Sequence, residues 1–246
     1  MIVLENIHKS FSGRKVLDGV DLRVVQGETL VIIGQSGVGK SVVLKHIIGL
    51  VKPEQGRVVV DGQDMTRWST RRRVTSGTRM AMLFQHSALF DSMTVAENVG
   101  FALSQQKRTS PEELREMVRR MLALVRLAGV EEKMPAQLSG GQRKRVGLAR
   151  ALAANPKIML YDEPTTGLDP ITADSINDLI VDTKRQLGTT GVAVTHDMAS
   201  AYKIGDRIAM LHEGRIIALG TPDEIRNSPD AHVQQFIHGR AEGPIR

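Results

Sequence analysis

Three short stretches of this 246-residue chain combine residue types suited to handling phosphate. The first, Gly34-Gln35-Ser36-Gly37-Val38-Gly39-Lys40-Ser41, fits G-x-x-x-x-G-K-[ST]. Its glycines let the backbone curl so that N–H groups face inward onto phosphate oxygens, and a helix starting there adds the positive end of its dipole. In such a loop the lysine, Lys40, neutralises β- and γ-phosphates and the hydroxyl of Ser41 ligates Mg²⁺. The second, Ile158-Met159-Leu160-Tyr161-Asp162-Glu163, is an apolar run that delivers two carboxylates at its C-terminal end. Open α/β sheets bind ligands at that end of their strands. Beside a bound triphosphate, Asp162 would hold Mg²⁺, directly or through water, and Glu163 would polarise the attacking water. The third, Leu138-Ser139-Gly140-Gly141-Gln142, sets a good N-cap, Ser139, before two glycines. Glycines in a first turn cost about 1 kcal/mol each against alanine. What they provide is a helix start whose N–H groups lie open to approach, a second anion site.

One chain thus carries two phosphate-binding helix starts. A loop that already surrounds its own phosphates leaves the second start free to face the γ-phosphate bound by another copy. The expected assembly is a head-to-tail homodimer with two ATP molecules sandwiched at its interface.

These residues need elements to position them. Thr29 to Ile33 is a short β-branched run ending at Gly34, and it predicts a strand buried on both faces. A helix should follow from Lys40 to about Leu50, stopped near Gly49 and Pro53. Ile2-Val3-Leu4, Val16 to Val25 and Arg57 to Val60 read as further strands, broken by turn signals at Ser12-Gly13, Gln26-Gly27 and Asp61-Gly62. From about residue 86 to 155 helical spacing takes over. Ser110-Pro111-Glu112-Glu113 is a capping box, and Leu114, Met117, Val118, Met121, Leu122 and Val125 follow as one apolar stripe. A second helix should run from about Gly140 to Ala154 and stop before Pro156. Strands at Ile158–Tyr161, Gly191–Thr195 and Arg207–Leu211 alternate with a helix over Ala173–Leu187. That alternation argues for a parallel sheet covered on both sides. The predicted fold is α/β: an NTPase core of the phosphate-loop type with a mixed or parallel sheet, an antiparallel β subdomain and an inserted α-helical subdomain. The expected boundaries are 1–85 and 156–222 for the ATP-binding core with its N-terminal β part, 86–155 for the helical subdomain, and 223–246 for a C-terminal helix and tail.

Composition narrows the partners. Aromatic residues make up only 3%, which argues against a nucleic-acid stacking platform, and no nucleic-acid partner is expected. The net charge of +6 suits an anionic ligand or membrane surface as well as a plain basic face. There are no cysteines, which excludes disulfides and thiol catalysis. No stretch reaches the roughly 18 apolar residues of a membrane span, and the first residues lack the pattern of a secretory signal. Work at a membrane would therefore run through partners. The clusters Arg71-Arg72-Arg73 and Arg143-Lys144-Arg145 read chiefly as solvated faces, with contact to partner subunits or lipid head groups as the alternative.

The third stretch resembles the signature motif of ABC (ATP-binding cassette) ATPases, and the resemblance covers nearly the whole chain. It implies roles for further residues. Gln85 is similar to the Q-loop glutamine, which senses Mg²⁺ and water and joins the helical subdomain to the core; a surface loop glutamine is the alternative. Asp169, after Leu168, is similar to the D-loop aspartate that crosses to the partner's site, and it could equally cap the helix following Pro170. His196 resembles the switch histidine that contacts the γ-phosphate and steadies the catalytic carboxylate. Phe11 resembles the aromatic that stacks on adenine, or it belongs to the core. ABC proteins of DNA repair carry a long coiled coil between the residues corresponding to Gln85 and Ser139, and no such heptads occur here. The implied machine is a transporter, with integral permease subunits above a peripheral ATPase on the cytoplasmic side of the inner membrane. More narrowly, the stretch from Leu83 to Val95, Asp169-Pro170-Ile171-Thr172 and the tail from Phe236 to Ile245 resemble the ATPases of the Mla phospholipid-trafficking group. That likeness implies lipid cargo and a periplasmic lipid-binding partner reached through the permease. Amino-acid importers use very similar cassettes.

Overall fold

Turn chemistry organises the first part of the chain. Ser12-Gly13, Asp61-Gly62 and Glu213-Gly214 all have left-handed backbones at both positions, as two-residue type I′ hairpin turns require. In this computed structural model, which describes residues 1–69, 71, 72, 77–104 and 110–245, these turns join three antiparallel strand pairs. Arg73 of the first basic cluster lies outside the described residues. The chain divides into two compact units, Met1–Thr78 with Thr190–Arg246, and Arg79–Thr189.

In the first unit, β1 (Ile2–Phe11), β2 (Arg14–Val24), β4 (Gln55–Val60) and β5 (Gln63–Asp64) form an antiparallel sheet in the order β2-β1-β4-β5. The same unit holds β3 (Thr29–Ile33), wholly buried between β8 (Thr190–Val194) and β9 (Arg207–His212) and parallel to both. A strand with neighbours on each edge and no solvent on either face must be apolar throughout, and β3 is apolar after Thr29. β10 (Arg215–Gly220) turns back antiparallel to β9. Helix α1 (Lys40–Ile48) ends at Gly49, whose left-handed φ of 81° lets its N–H reach the His46 carbonyl. The unit also holds three short helices near its C-terminal end: α6 (Met198–Ile204), α7 (Pro222–Arg226) and α8 (Ala231–His238).

In the second unit, β6 (Met80–Leu83) and β7 (Ile158–Asp162) pair in parallel, with Leu83 opposite Tyr161. Helices α2 (Val95–Ser104), α3 (Pro111–Leu124) and α4 (Gly140–Ala153) pack on one another, and α5 (Pro170–Leu187) follows β7. The capping box at α3 forms as expected. Ser110 Oγ accepts from the Glu113 N–H at 3.2 Å, and the Glu113 carboxylate accepts from the Ser110 N–H at 2.8 Å. Val118, Met121 and Leu122 of its apolar stripe are buried. The antiparallel sheet, the parallel strands and the helices together make the expected α/β fold.

Beyond elements with no counterpart in the expected set, such as β10 and α6, three differences have a plain cause. β1 runs on to Phe11 rather than ending at Leu4, because bulges around Asn6, itself at φ 48°, interrupt the alternation that marks a strand. β6 escapes notice because four residues rich in methionine carry little strand signal. α5 begins at Pro170 instead of Ala173, since Pro170 occupies its first turn and Asp169 caps it.

Gly56 tests the tightness of the antiparallel sheet. Its φ is 93°, and a Cβ there would fall 2.3 Å from the carbonyl oxygens of Glu5 and Asn6. Gly56→Ala should lower stability by about 2 kcal/mol, read as a lower urea midpoint; an unchanged midpoint would refute the close approach of β1 and β4.

Candidate functional site

The phosphate-loop glycines adopt conformations that other residues avoid. Gly34, Gly37 and Gly39 have φ values of 150°, 81° and 112°. Gly34 leaves β3 so close to β9 that a Cβ would sit 2.3 Å from the Leu211 carbonyl oxygen, and at Gly39 it would meet the Val16 side chain at 2.9 Å. The loop is thus bent by φ and walled by backbone. Gly39 is the N-cap of α1 and offers no side chain to fill the cap, so the N–H groups of that turn face whatever the loop encloses. Lys40 is 6% exposed, and its Nζ donates to the carbonyls of Gly34 at 2.7 Å and Gln35 at 2.9 Å. These bonds hold the ammonium across the mouth of the loop. Beside it, a cleft of about 660 Å³ is lined by Arg14, Lys15, Val16, Gln35 and Ser36 among others, two of them cationic. His196 follows β8 in the same unit and is exposed; the N–H of Thr195 just before it is fixed to the Ile32 carbonyl at 3.1 Å.

The second unit carries the carboxylates. β7 ends with Asp162 and Glu163, both nearly buried, after Tyr161, whose hydroxyl burial pushes its pKa far up. Glu163 sits at φ 48°, an uncommon backbone for a side chain of its size. Its carboxylate accepts from Thr166 Oγ1 at 3.0 Å, which aims it. Gln85 follows β6, the parallel neighbour of β7, so the amide and the two carboxylates leave the same end of adjacent strands.

The signature stretch forms the start of α4. Ser139 Oγ accepts from the Gln142 N–H at 3.2 Å and Gln142 Oε1 accepts from the Ser139 N–H at 3.0 Å, a reciprocal cap. The two glycines serve different ends. A Cβ at Gly140 would meet Leu168 at an ordinary 3.5 Å, so this residue leaves the helix tip bare. A Cβ at Gly141 would fall 2.5 Å from Thr172 Cγ2, so its smallness also admits the first turn of α5.

Residues 17–166 match the family described as ABC transporter. The chain belongs to the ABC transporter family. Its relatives there include the methionine import ATP-binding protein MetN of Geobacillus kaustophilus, 44% identical over 96% of this chain and 70% of that protein. The intermembrane phospholipid transport system ATP-binding protein MlaF of Haemophilus influenzae is 37% identical over 100% of this chain and 93% of its own length. Among solved structures, the ATP-binding cassette MJ0796, dimeric in a post-hydrolysis state with ADP and Pi, is 34% identical and superposes with a TM-score of 0.83 over 90% of this chain and 99% of that one. This ABC transporter protein binds and hydrolyses ATP. No helix among its described residues is long and apolar enough to cross a membrane.

Other residues of this ABC ATPase depart from or refine expectation. Phe11 is not in the core: its ring is 44% exposed at the end of β1, with Lys9 Nζ 5.2 Å from the centroid. Asp169 caps α5, accepting from the N–H groups of Ile171 at 3.1 Å and Thr172 at 3.0 Å. Hydrogen bonds, first from Thr172, hold its carboxyl below the usual range. The second basic cluster is a solvated face only at Arg143, which is exposed. Arg143 Nη1 donates to the Leu138 carbonyl at 2.5 Å, Arg145 to the carbonyls of Val125 and Arg126 and to Ser175 Oγ, and Lys144 is buried. Lys144 and Arg145 turn inward because α4 packs on other elements and meets their carbonyls, whereas Arg143 stays exposed and folds back on Leu138, just before its own helix. Asn98, which residue type alone does not reveal, is wholly buried at the start of α2. Its side chain accepts from the Phe90 N–H at 2.8 Å and donates to the carbonyls of Phe90, Met93 and Thr94. Arg150 likewise donates to the carbonyls of Ser87 at 2.7 Å and Ala88 at 2.6 Å.

Lys40→Ala removes the ammonium from the loop mouth without touching its glycines. ATP affinity by isothermal titration should fall at least about a hundredfold. Unchanged affinity would refute the role of Lys40 at the phosphates.

Proposed function

We propose that this chain is the ATP-hydrolysing subunit of a membrane transporter that works as a head-to-tail homodimer and moves phospholipid between the inner and outer membranes. The observation that carries the dimer is the pair of anion-ready helix tips, Gly39 before α1 in one unit and Ser139-Gly140 before α4 in the other. The tip of α4 has no phosphate loop of its own, so it serves the γ-phosphate held by a second copy. The dimeric state of the related MJ0796 cassette supports this reading.

In the closed dimer the loop from Gly34 to Ser41 cradles one triphosphate through its N–H groups, and Lys40 balances the β- and γ-phosphate charge. Phe11, exposed at its strand end, offers a face to adenine. The partner copy's Ser139, Gly140, Gly141 and Gln142 cover the γ-phosphate, with Asp169 reaching across. Glu163 takes the proton side of an in-line water, and His196 steadies that carboxylate. Backbone amides from both copies stabilise the charge that spreads over the transferring group. The Ser41 hydroxyl, the Gln85 amide and the Asp162 carboxylate are all hard oxygen donors and would hold Mg²⁺. Bound there, Mg²⁺ offsets phosphate charge. Loss of the γ-phosphate removes the bridge between the tips, and the copies part. The ATP-binding core comprises 1–85 and 156–222, the helical part 86–155, and the tail 223–246. The loop from Gln85 to Val95 passes the motion to permease subunits at the cytoplasmic face of the inner membrane, and a periplasmic lipid-binding protein receives the cargo.

Phospholipid is favoured by the stretches 83–95, 169–172 and 236–245 and by the match with MlaF along 93% of that protein. The 44% identity with MetN favours an amino-acid cargo instead.

Two measurements test these readings. A Ser139→Arg chain mixed with a Lys40→Ala chain should rebuild one intact site per heterodimer and recover ATPase activity; a mixture no better than either variant alone would count against shared sites. The ATPase purified with its membrane partners and placed in vesicles should drive ATP-dependent transfer of a fluorescent phospholipid. ATP-dependent methionine uptake without lipid transfer would overturn the lipid reading.

A further inference from the structure

Lys144 is a lysine where a lysine is costly. It lies in the middle of a helix, 5% exposed, and burial pulls its pKa down to about 8. A buried ammonium is retained only with partners that satisfy it. Its partners are two backbone carbonyls, those of Gln85 and Glu163, the latter at 3.0 Å. These are the residues that follow β6 and β7 and carry the amide and the water-polarising carboxylate. Glu163 leaves β7 in a left-handed conformation, so its carbonyl is turned off the line of the strand, where the Thr166 N–H reaches it only at a long 3.4 Å. Lys144 supplies the shorter bond, at 3.0 Å.

The helix face around Lys144 is shaped for this contact. One turn on, Gly147 brings α4 against the Gln85 loop: a Cβ there would meet Leu83 Cδ1 and Ser87 Cβ at 3.0 Å each. A further turn on, Arg150 grips the carbonyls of Ser87 and Ala88, both at left-handed φ. The helix whose tip is Ser139 thus holds the loop after Gln85 at one end and both Gln85 and Glu163 at the other.

We propose that Lys144 is a positioning residue for ATP hydrolysis: by bonding the carbonyls of Glu163 and Gln85 it locks the catalytic carboxylate and the Q-loop amide to the signature helix. When the tip of α4 docks on a triphosphate, the same rigid helix carries the frame from which Glu163 and Gln85 of its own chain are hung. Docking by one copy thereby sets the geometry of that copy's own carboxylate. The inference rests on Glu163 being the water-polarising residue.

The test is steady-state kinetics of the full chain, with melting temperatures alongside. Lys144→Met should fold, keep KM for ATP within about twofold, and lose kcat about tenfold or more. Lys144→Arg, which restores donors at the same place, should recover part of the lost kcat. Should Lys144→Met not fold, Lys144→Gln is read in the same way. Unchanged kcat in a folded variant, a loss confined to KM, no recovery with arginine, or failure of both the methionine and glutamine variants to fold would each overturn the proposal, the last by assigning the lysine to stability alone. Glu163→Gln separates the two claims. Wild-type turnover in that variant removes the role given to Glu163, whereas loss of turnover there with wild-type kcat in Lys144→Met removes only the role given to Lys144.

Discussion

A triphosphate carries more negative charge than one lysine can answer, so a loop that is to hold one must turn its own backbone amides inward. That requirement reaches through the whole first unit. Amides converge only if the chain curls through left-handed conformations at Gly34, Gly37 and Gly39. The curl is held only if the strand feeding it is rigid, and β3 is rigid because it is clamped between β8 and β9. The clamp is so tight that Gly34 passes the Leu211 carbonyl with no room for a Cβ. The antiparallel sheet adds Val16 against Gly39 from the other side. Side-chain size at Gly34 and Gly39, and backbone conformation at all three glycines, fit a loop that aims its amides inward.

The second unit meets a related constraint with different means. Its strands leave carbonyls, not amides, in awkward places, because Ser87, Ala88 and Glu163 all have left-handed backbones. Cations answer them. Lys144, Arg145 and Arg150, spread along α4, donate hydrogen bonds to backbone oxygens of the surrounding elements, while Arg143 stays exposed at the helix start. Most of the positive charge after the signature stretch is therefore scaffolding for a set of strand and loop ends.

This contrast explains what could be seen in the chain beforehand. The phosphate loop, the carboxylate pair and the bare helix tip were legible because each needs particular residue types at fixed spacing. The buried strands β3, β7 and β8 were legible because a strand covered on both faces has no polar option. The inward turn of Lys144 and Arg145 was not, since a charged run looks the same whether it meets water, as Arg143 does, or carbonyls placed by distant segments. Asn98 was hidden for the same reason: its partners at Phe90, Met93 and Thr94 are decided by a loop path that no local pattern encodes. The division of labour between Gly140 and Gly141 also depended on a neighbour, Thr172, thirty-odd positions away in sequence.

The Asn98 amide has a mechanical meaning. By bonding at once to Phe90, Met93 and Thr94 it fastens the end of the segment after Gln85 to the first turn of α2, and Arg150 lies over the Phe90 ring. A segment pinned at so many points has little slack of its own. In the proposed transport cycle it would hand on a load much as a solid knuckle does.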